Sequence, residues 1–250
     1  MRVCLTVAYD GTNYHGWQLQ PNGVTIESVL NQALSDLLGE EITVIGASRT
    51  DAGVHSLGNV AVFDTNTKIP AEKISYALNQ RIPEDIVIQN SKEVASDFHP
   101  RHVKSSKTYE YRILNRRFKD PTRRKNTYFY HHPLNVQNMQ KAASYFLGEH
   151  DFKSFCSAHT LTETTVRTIY MLEVGKEKDV ITIRITGSGF LYNMVRIIAG
   201  TLILTGSGAI LPEEIPQIIE KRDRGAAGPT APARGLTMIG IEFLEEEGQE

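Results

Sequence analysis

The sequence predicts an α+β fold in two α/β halves, residues 1–100 and 105–245, on three observations. Short β-branched runs alternate with amphipathic runs of helical length through the first half. A polar stretch containing Pro100, from Ala95 to Ser106, separates these from a second set of the same kind. The chain's 250 residues suit one large domain or two small ones, and 40% hydrophobic with 22% charged residues is the balance of a globular protein with a substantial core.

In the first half, Arg2 to Tyr9 reads as a strand. A polar, glycine-containing loop leads to a helix from about Glu27 to Leu38, where Val29, Leu30, Ala33, Leu34, Leu37 and Leu38 form one apolar stripe. Thr25 is its expected N-cap and Gly39 its stop. Ile42 to Ile45 and Val60 to Phe63 read as buried strands, Pro70 opens a helix carrying Ile74, Ala77 and Leu78, and Ile86 to Ile88 closes the half as another strand. This β-α-β-β-α-β order is the split pattern of ferredoxin-like or RNA-recognition-motif-like sheets. The second half repeats it loosely. Strands are expected near Lys107–Leu114, Val166–Val174 and Val180–Thr186, helices near Val136–Leu147, Phe190–Leu204 and Pro212–Lys221, and a last strand at Leu236–Phe243. Two such halves joined side by side make a mostly antiparallel sheet with a central cleft.

Composition narrows the function classes. No cationic-then-apolar leader opens the chain, and the two cysteines, Cys4 and Cys156, lie far apart without Cys-x-x-Cys spacing, which points to packing roles in a cytoplasmic protein. The helix around Arg196 is too short and too polar to cross a membrane. No His-Glu-x-x-His helix occurs, and the adjacent His131 and His132 are expected to point oppositely on a strand, so no metal site is expected. Gly187-Ser188-Gly189 lacks the lysine and spacing of a nucleotide-binding loop, so no cofactor is expected either. The net charge of -2 hides an asymmetry: from Arg101 to Lys125 ten basic residues face two acidic ones, a local +8 against -10 elsewhere. Such a segment is either a solvated hairpin or a surface that meets a polyanion.

The chemistry-bearing residues begin with Arg49-Thr50-Asp51-Ala52-Gly53-Val54-His55, a charged turn between two apolar runs. An Asp followed by a small residue and Gly makes an Asx-turn, yet a carboxylate on a loop held at both ends can also be aimed at a reacting atom. Arg196, the one charge in an apolar helix, needs an anionic partner if it does not reach solvent, and Asp51 is the carboxylate to pair with it. Arg49, two positions before Asp51, shares its face in extended backbone and would hold a phosphate or fill the place of an unstacked base. Tyr109 and Tyr111 share one strand face inside the basic window, suited to base stacking or to core packing. A second acid for a two-carboxylate hydrolase is missing, since Asp64 lies at the far end of the next strand.

Taken together with Tyr9-Asp10-Gly11, Tyr14-His15-Gly16-Trp17, Asp97-Phe98-His99, Lys107-x-Tyr109-x-Tyr111, Phe190-Leu191-Tyr192-Asn193-Met194-Val195-Arg196 and Ala231-Pro232-Ala233-x-Gly235-Leu236, the Asp51 motif resembles the tRNA pseudouridine synthase A family. Ser48, Asn59 and Thr237 depart from the family's usual Gly, Gln and aromatic residue. The resemblance implies the pseudouridine synthase fold and isomerisation of uridines at positions 38–40 of the tRNA anticodon stem-loop. It implies Asp51 as nucleophile, Tyr109 stacked on the target base, Arg196 paired with Asp51, Arg49 assisting base flipping and Leu236 packed in the pocket. A homodimer without metal or cofactor is implied as well. The competing reading is a non-catalytic RNA-binding protein of two RNA-recognition-like halves with Tyr109 and Tyr111 as its stacking platform.

Overall fold

A computed structural model describes residues 1–157 and 162–244. The chain divides into two compact units, the first running from Met1 to Ser105 and taking in the described chain from Met238 on, the second running from Ser106 to Thr237.

The first unit begins with strand β1 (Arg2–Tyr9) and helix α1 (Ile26–Leu38). Thr25 caps α1 in a reciprocal box: its hydroxyl accepts from the Ser28 N–H at 3.2 Å, and the Ser28 hydroxyl accepts from the Thr25 N–H at 3.0 Å. Gly39 ends the helix in the left-handed region, with φ 70°. Removing the cap in Thr25→Ala is expected to cost about 1 kcal/mol, seen as a lower urea midpoint with an unchanged slope. Next come β2 (Ile45–Gly46), β3 (His55–Asp64), α2 (Ala71–Leu78) and β4 (Ile86–Val94). The sheet order is β4-β1-β3-β2 with every pair antiparallel, the arrangement that the split β-α-β-β-α-β order produces. Both helices pack on one face, where Val3, Leu5, Val7, Leu30, Leu34, Ala61, Phe63, Ile74 and Leu78 form a closed core.

One expected strand is mostly absent. Of Ile42–Ile45 only Ile45 enters β2, although Ile42 and Val44 are buried as the apolar pattern requires. Their N–H groups are taken by side chains of α1 rather than by a neighbouring strand: the Ser35 hydroxyl accepts from Ile42 and the Asn31 carbonyl accepts from Val44, both at 2.9 Å.

The second unit contains β5 (Ser105–Asn115), β6 (Tyr128–Tyr130), α3 (Val136–Ser144), β7 (Gly148–Asp151), β8 (Val166–Glu177), β9 (Val180–Gly187), α4 (Met194–Ser207) and α5 (Ile215–Lys221). Its sheet runs β5-β9-β8-β7 with each neighbouring pair antiparallel, and the short β6 lies parallel to β5. The last strand, β10 (Leu236–Phe243), neighbours β3. Strands β6 and β7, of three and four residues, are too short to leave a periodic signal. His131 and His132 follow β6 instead of lying in a strand, and their rings sit 3.8 Å apart rather than on opposite faces.

Helix α4 starts at Met194, four residues later than the apolar run from Phe190 suggests. Asn193 stands in the left-handed region, with φ 61°, and its side chain donates to the Ser157 hydroxyl at 2.8 Å. That backbone reversal ends the preceding loop and lets the helix begin only after it. Helix α4 is buried on nearly all sides, and no described helix is long and apolar enough to cross a membrane.

Candidate active site

The segment carrying Asp51 is irregular backbone held by hydrogen bonds before, at and after its centre. Before it, the Ala47 N–H donates to the Val60 carbonyl at 2.7 Å, and the Asn59 amide donates to the Ser48 carbonyl at 3.0 Å. Ser48 and Asn59, two of the three positions that depart from the family pattern, are therefore partners in one contact. At its centre, Thr50 is buried, its hydroxyl sharing a hydrogen bond of 2.7 Å with that of Tyr9, and its carbonyl accepts from the Trp17 N–H at 3.1 Å. After it, the Val54 N–H closes a turn onto the Asp51 carbonyl at 3.1 Å, and Gly53, at φ 77°, donates to the Tyr14 carbonyl at 3.3 Å.

Two glycines permit this packing. A Cβ on Gly11 would stand 2.0 Å from the Val54 carbonyl oxygen, and one on Gly16, at φ 84°, would stand 2.4 Å from that of Thr50. The stretch from Tyr9 to Trp17 thus lies directly against the loop, and its own position is fixed by Tyr14, whose hydroxyl donates to Asp85. Burial, then that carboxylate, pushes the Tyr14 phenol well above its ordinary pKa, so it stays a donor at any working pH. Asp51 emerges from this frame half-buried, with Arg49 exposed on the other side of Thr50. Arg101, whose Nε donates to the Gly46 carbonyl at 2.7 Å, is lowered from its ordinary pKa first by burial and then by the charge of Arg49.

In the second unit the tyrosines of β5 share a face and both are buried. Tyr109 meets Phe190 edge-on, with ring centroids 5.3 Å apart. Tyr111 donates its hydroxyl to the Pro232 carbonyl at 2.8 Å, and burial raises its pKa far above the ordinary tyrosine value. A Cβ on Gly235 would come within 2.6 Å of the Tyr111 ring, so the chain from Pro232 to the buried Leu236 passes flat against it. Arg196 is half-buried and held from two sides: its Nε donates to the Ala231 carbonyl and its Nη1 to the Asn193 side chain, both at 2.8 Å. The Ala231 N–H returns a bond to the Arg196 carbonyl at 3.1 Å. Such anchoring by uncharged acceptors fixes the direction of the guanidinium.

Of the residues singled out from the sequence, Arg49 and Asp51 meet in the first unit, and Tyr109, Arg196 and Leu236 belong to the second. Sequence reasoning passed over His55, Asp10, Tyr14 and Asn193, which hold these segments in place. Only the clustering of Asp10, Tyr14 and His55 within the quoted motifs hinted at them. Among the described residues no group of three or more His, Cys, Asp or Glu side chains is arranged to hold a metal ion.

The model of one family, tRNA pseudouridine synthase, matches residues 5–102 and 142–243. A tRNA pseudouridine synthase A of Thermoanaerobacter sp. (strain X514) is 51% identical over 241 residues, covering 96% of this chain and 99% of the relative. The enzyme of that name from Acetivibrio thermocellus is 50% identical over the same shares, and that from Brevibacillus brevis is 47% identical over 97% of this chain and 99% of its own. The matched regions include the clamped Asp51 loop, helix α4 with Arg196, and the Ala231–Leu236 segment lying on Tyr111. On a match that runs through both units, this chain belongs to the tRNA pseudouridine synthases, enzymes that isomerise uridine to pseudouridine in tRNA.

Proposed function

We propose that this chain modifies uridines at positions 38–40 of the tRNA anticodon stem-loop, with Asp51 as the reacting carboxylate on a uridine flipped out of the stem. The observation that carries this reading is the loop itself: Asp51 is the one acidic side chain of a segment pinned at Ala47, Ser48, Thr50, Gly53 and Val54. A carboxylate so held is pre-positioned for a single substrate geometry.

The reaction needs no net redox change. The N1–C1′ bond breaks, the uracil turns, C5 bonds to C1′, and the C5 proton leaves while N1 gains one. Asp51 acts either by attacking C1′ to form a glycosyl ester or by removing the C2′ proton to give a glycal. Arg196, whose guanidinium is directed by the Ala231 carbonyl and the Asn193 side chain, supplies the cation that pairs with Asp51. Tyr109 offers a ring to the extruded base, Leu236 lines the pocket, and Arg49 fills the vacated place in the stack.

The exposed loop from Arg116 to Asn126 is suited to tRNA phosphates, and Arg49 with Arg101 forms a second cationic point. A homodimer in which one subunit's basic surface helps dock tRNA for the other fits this charge distribution, as does residence in the cytoplasm with the substrate.

The test is nucleoside analysis of unmodified tRNA incubated with the protein in the presence of a chelator. Pseudouridine is expected in the anticodon arm, and tRNA affinity is expected to fall roughly tenfold or more between 50 and 200 mM salt. Uridine left unchanged while tRNA binds tightly would favour the non-catalytic binder. A flat salt response would remove the role given to the basic segment.

A further inference from the structure

We infer that His55 is a positioning residue that sets the Asp51 loop through its Nδ1 atom. The inference rests on Asp51 being the reacting carboxylate. His55 opens strand β3 immediately after the loop and is 7% exposed, too buried to meet a substrate directly. Its Nδ1 accepts from the Gly11 N–H at 3.2 Å and lies 3.1 Å from Oδ1 of Asp10. A single ring nitrogen cannot accept from one neighbour and donate to the other at once. The Gly11 bond uses Nδ1 as its acceptor, and the same Asp10 oxygen also accepts from the N–H and hydroxyl of Thr12.

The consequence is geometric. The Asp10–Trp17 stretch touches the loop through three backbone donors or acceptors, at Gly11, Tyr14 and Trp17. The Tyr14 and Trp17 contacts are backbone to backbone and insensitive to side-chain identity, whereas the Gly11 N–H donates to the His55 side chain. Gly11 also stands where any side chain would strike the Val54 carbonyl, so a small shift of this turn displaces the residues next to Asp51. A displacement on the order of 1 Å at a reacting group can cost a hundredfold in rate. His55 is therefore expected to act on the chemical step and not on tRNA affinity.

Three variants of the full chain test this. In His55→Asn the amide oxygen can stand in for Nδ1 as acceptor. In His55→Gln the oxygen reaches the place of Nε2 instead, and His55→Leu has no acceptor. Amide hydrogen exchange at Gly11 reads the contact without reference to catalysis. Single-turnover isomerisation and tRNA dissociation constants read its effect. His55→Asn is expected to keep Gly11 protected and its rate within about fivefold of the parent. His55→Gln and His55→Leu are expected to lose that protection and at least tenfold in rate, with affinity changed less than about twofold. The inference is overturned if Gln or Leu at this position leaves the rate intact, or if Asn loses as much as Leu. It is also overturned if rate and affinity fall together in His55→Gln, the variant kept in case Leu prevents folding. Asp51→Asn in the same assays separates the two claims: an active Asp51→Asn sinks the proposed function, while Gly11 exchange still reports on His55.

Discussion

Asp51→Asn is expected to lower single-turnover isomerisation by at least a thousandfold while leaving tRNA affinity within about threefold, the pattern of a group that acts only in the transition state. Asparagine keeps the size and hydrogen-bonding reach of the side chain but supplies neither a nucleophile nor a base. Thr50, Gly53 and Val54 are held by Tyr9, Trp17, Tyr14 and the Asp51 carbonyl, contacts that asparagine leaves in place. The melting temperature is therefore expected to stay within a few degrees. Full activity in this variant would move the chemistry to another residue. A parallel collapse of binding and stability would show that Asp51 is structural.

Gly200→Ala is expected to destabilise the second unit by about 2 kcal/mol or more, lowering the melting temperature by roughly 4–8 °C. In an ordinary helix interior the same change would stabilise by about 1 kcal/mol. Here a Cβ on Gly200 would stand 1.8 Å from the Pro229 carbonyl oxygen, and one on Gly228 would stand 2.7 Å from the Thr201 Cα, so two backbones meet with no side chain between them. The approach is sealed by the Gly228 N–H, which donates to the Thr201 hydroxyl at 2.9 Å. One turn away it brings Ala231 within reach of Arg196 in both directions. Activity should therefore fall along with stability, because the guanidinium loses its anchor. A more stable Gly200→Ala protein, measured by thermal unfolding, would contradict this packing.

These two positions differ in how visible they were before the fold was known. Elements governed by their own residues were legible: α1 carries its Thr25 cap, its apolar stripe and its Gly39 stop within one stretch of chain. Ile42–Ile45 has the apolar content of a strand, but its N–H groups go to Ser35 and Asn31 on α1, a choice made by tertiary packing. The start of α4 depends in the same way on Asn193 bonding Ser157, 36 residues earlier in the chain. At the site, the Asp51 motif stood out as a charged turn between apolar runs. The residues that hold it, Tyr9, Gly11, Tyr14 and Trp17, come from a stretch about 40 residues earlier and leave no periodic signal. Arg196 was visible as a lone charge in an apolar run. That its Nε ends on the Ala231 carbonyl depends on two glycines whose lack of a side chain matters only once the backbones meet.

The central claim is that one carboxylate, without metal or cofactor, exchanges the N1 bond of a tRNA uridine for a C5 bond. Release of tritium from tRNA carrying C5-tritiated uridine, measured with chelator present and set against the pseudouridine formed, tests it most directly. One tritium is expected in solvent for each pseudouridine, because C5 must lose its hydrogen once it carries the ribose. Retention of tritium in every anticodon-arm uridine, or release only when a metal ion is added, would contradict the account.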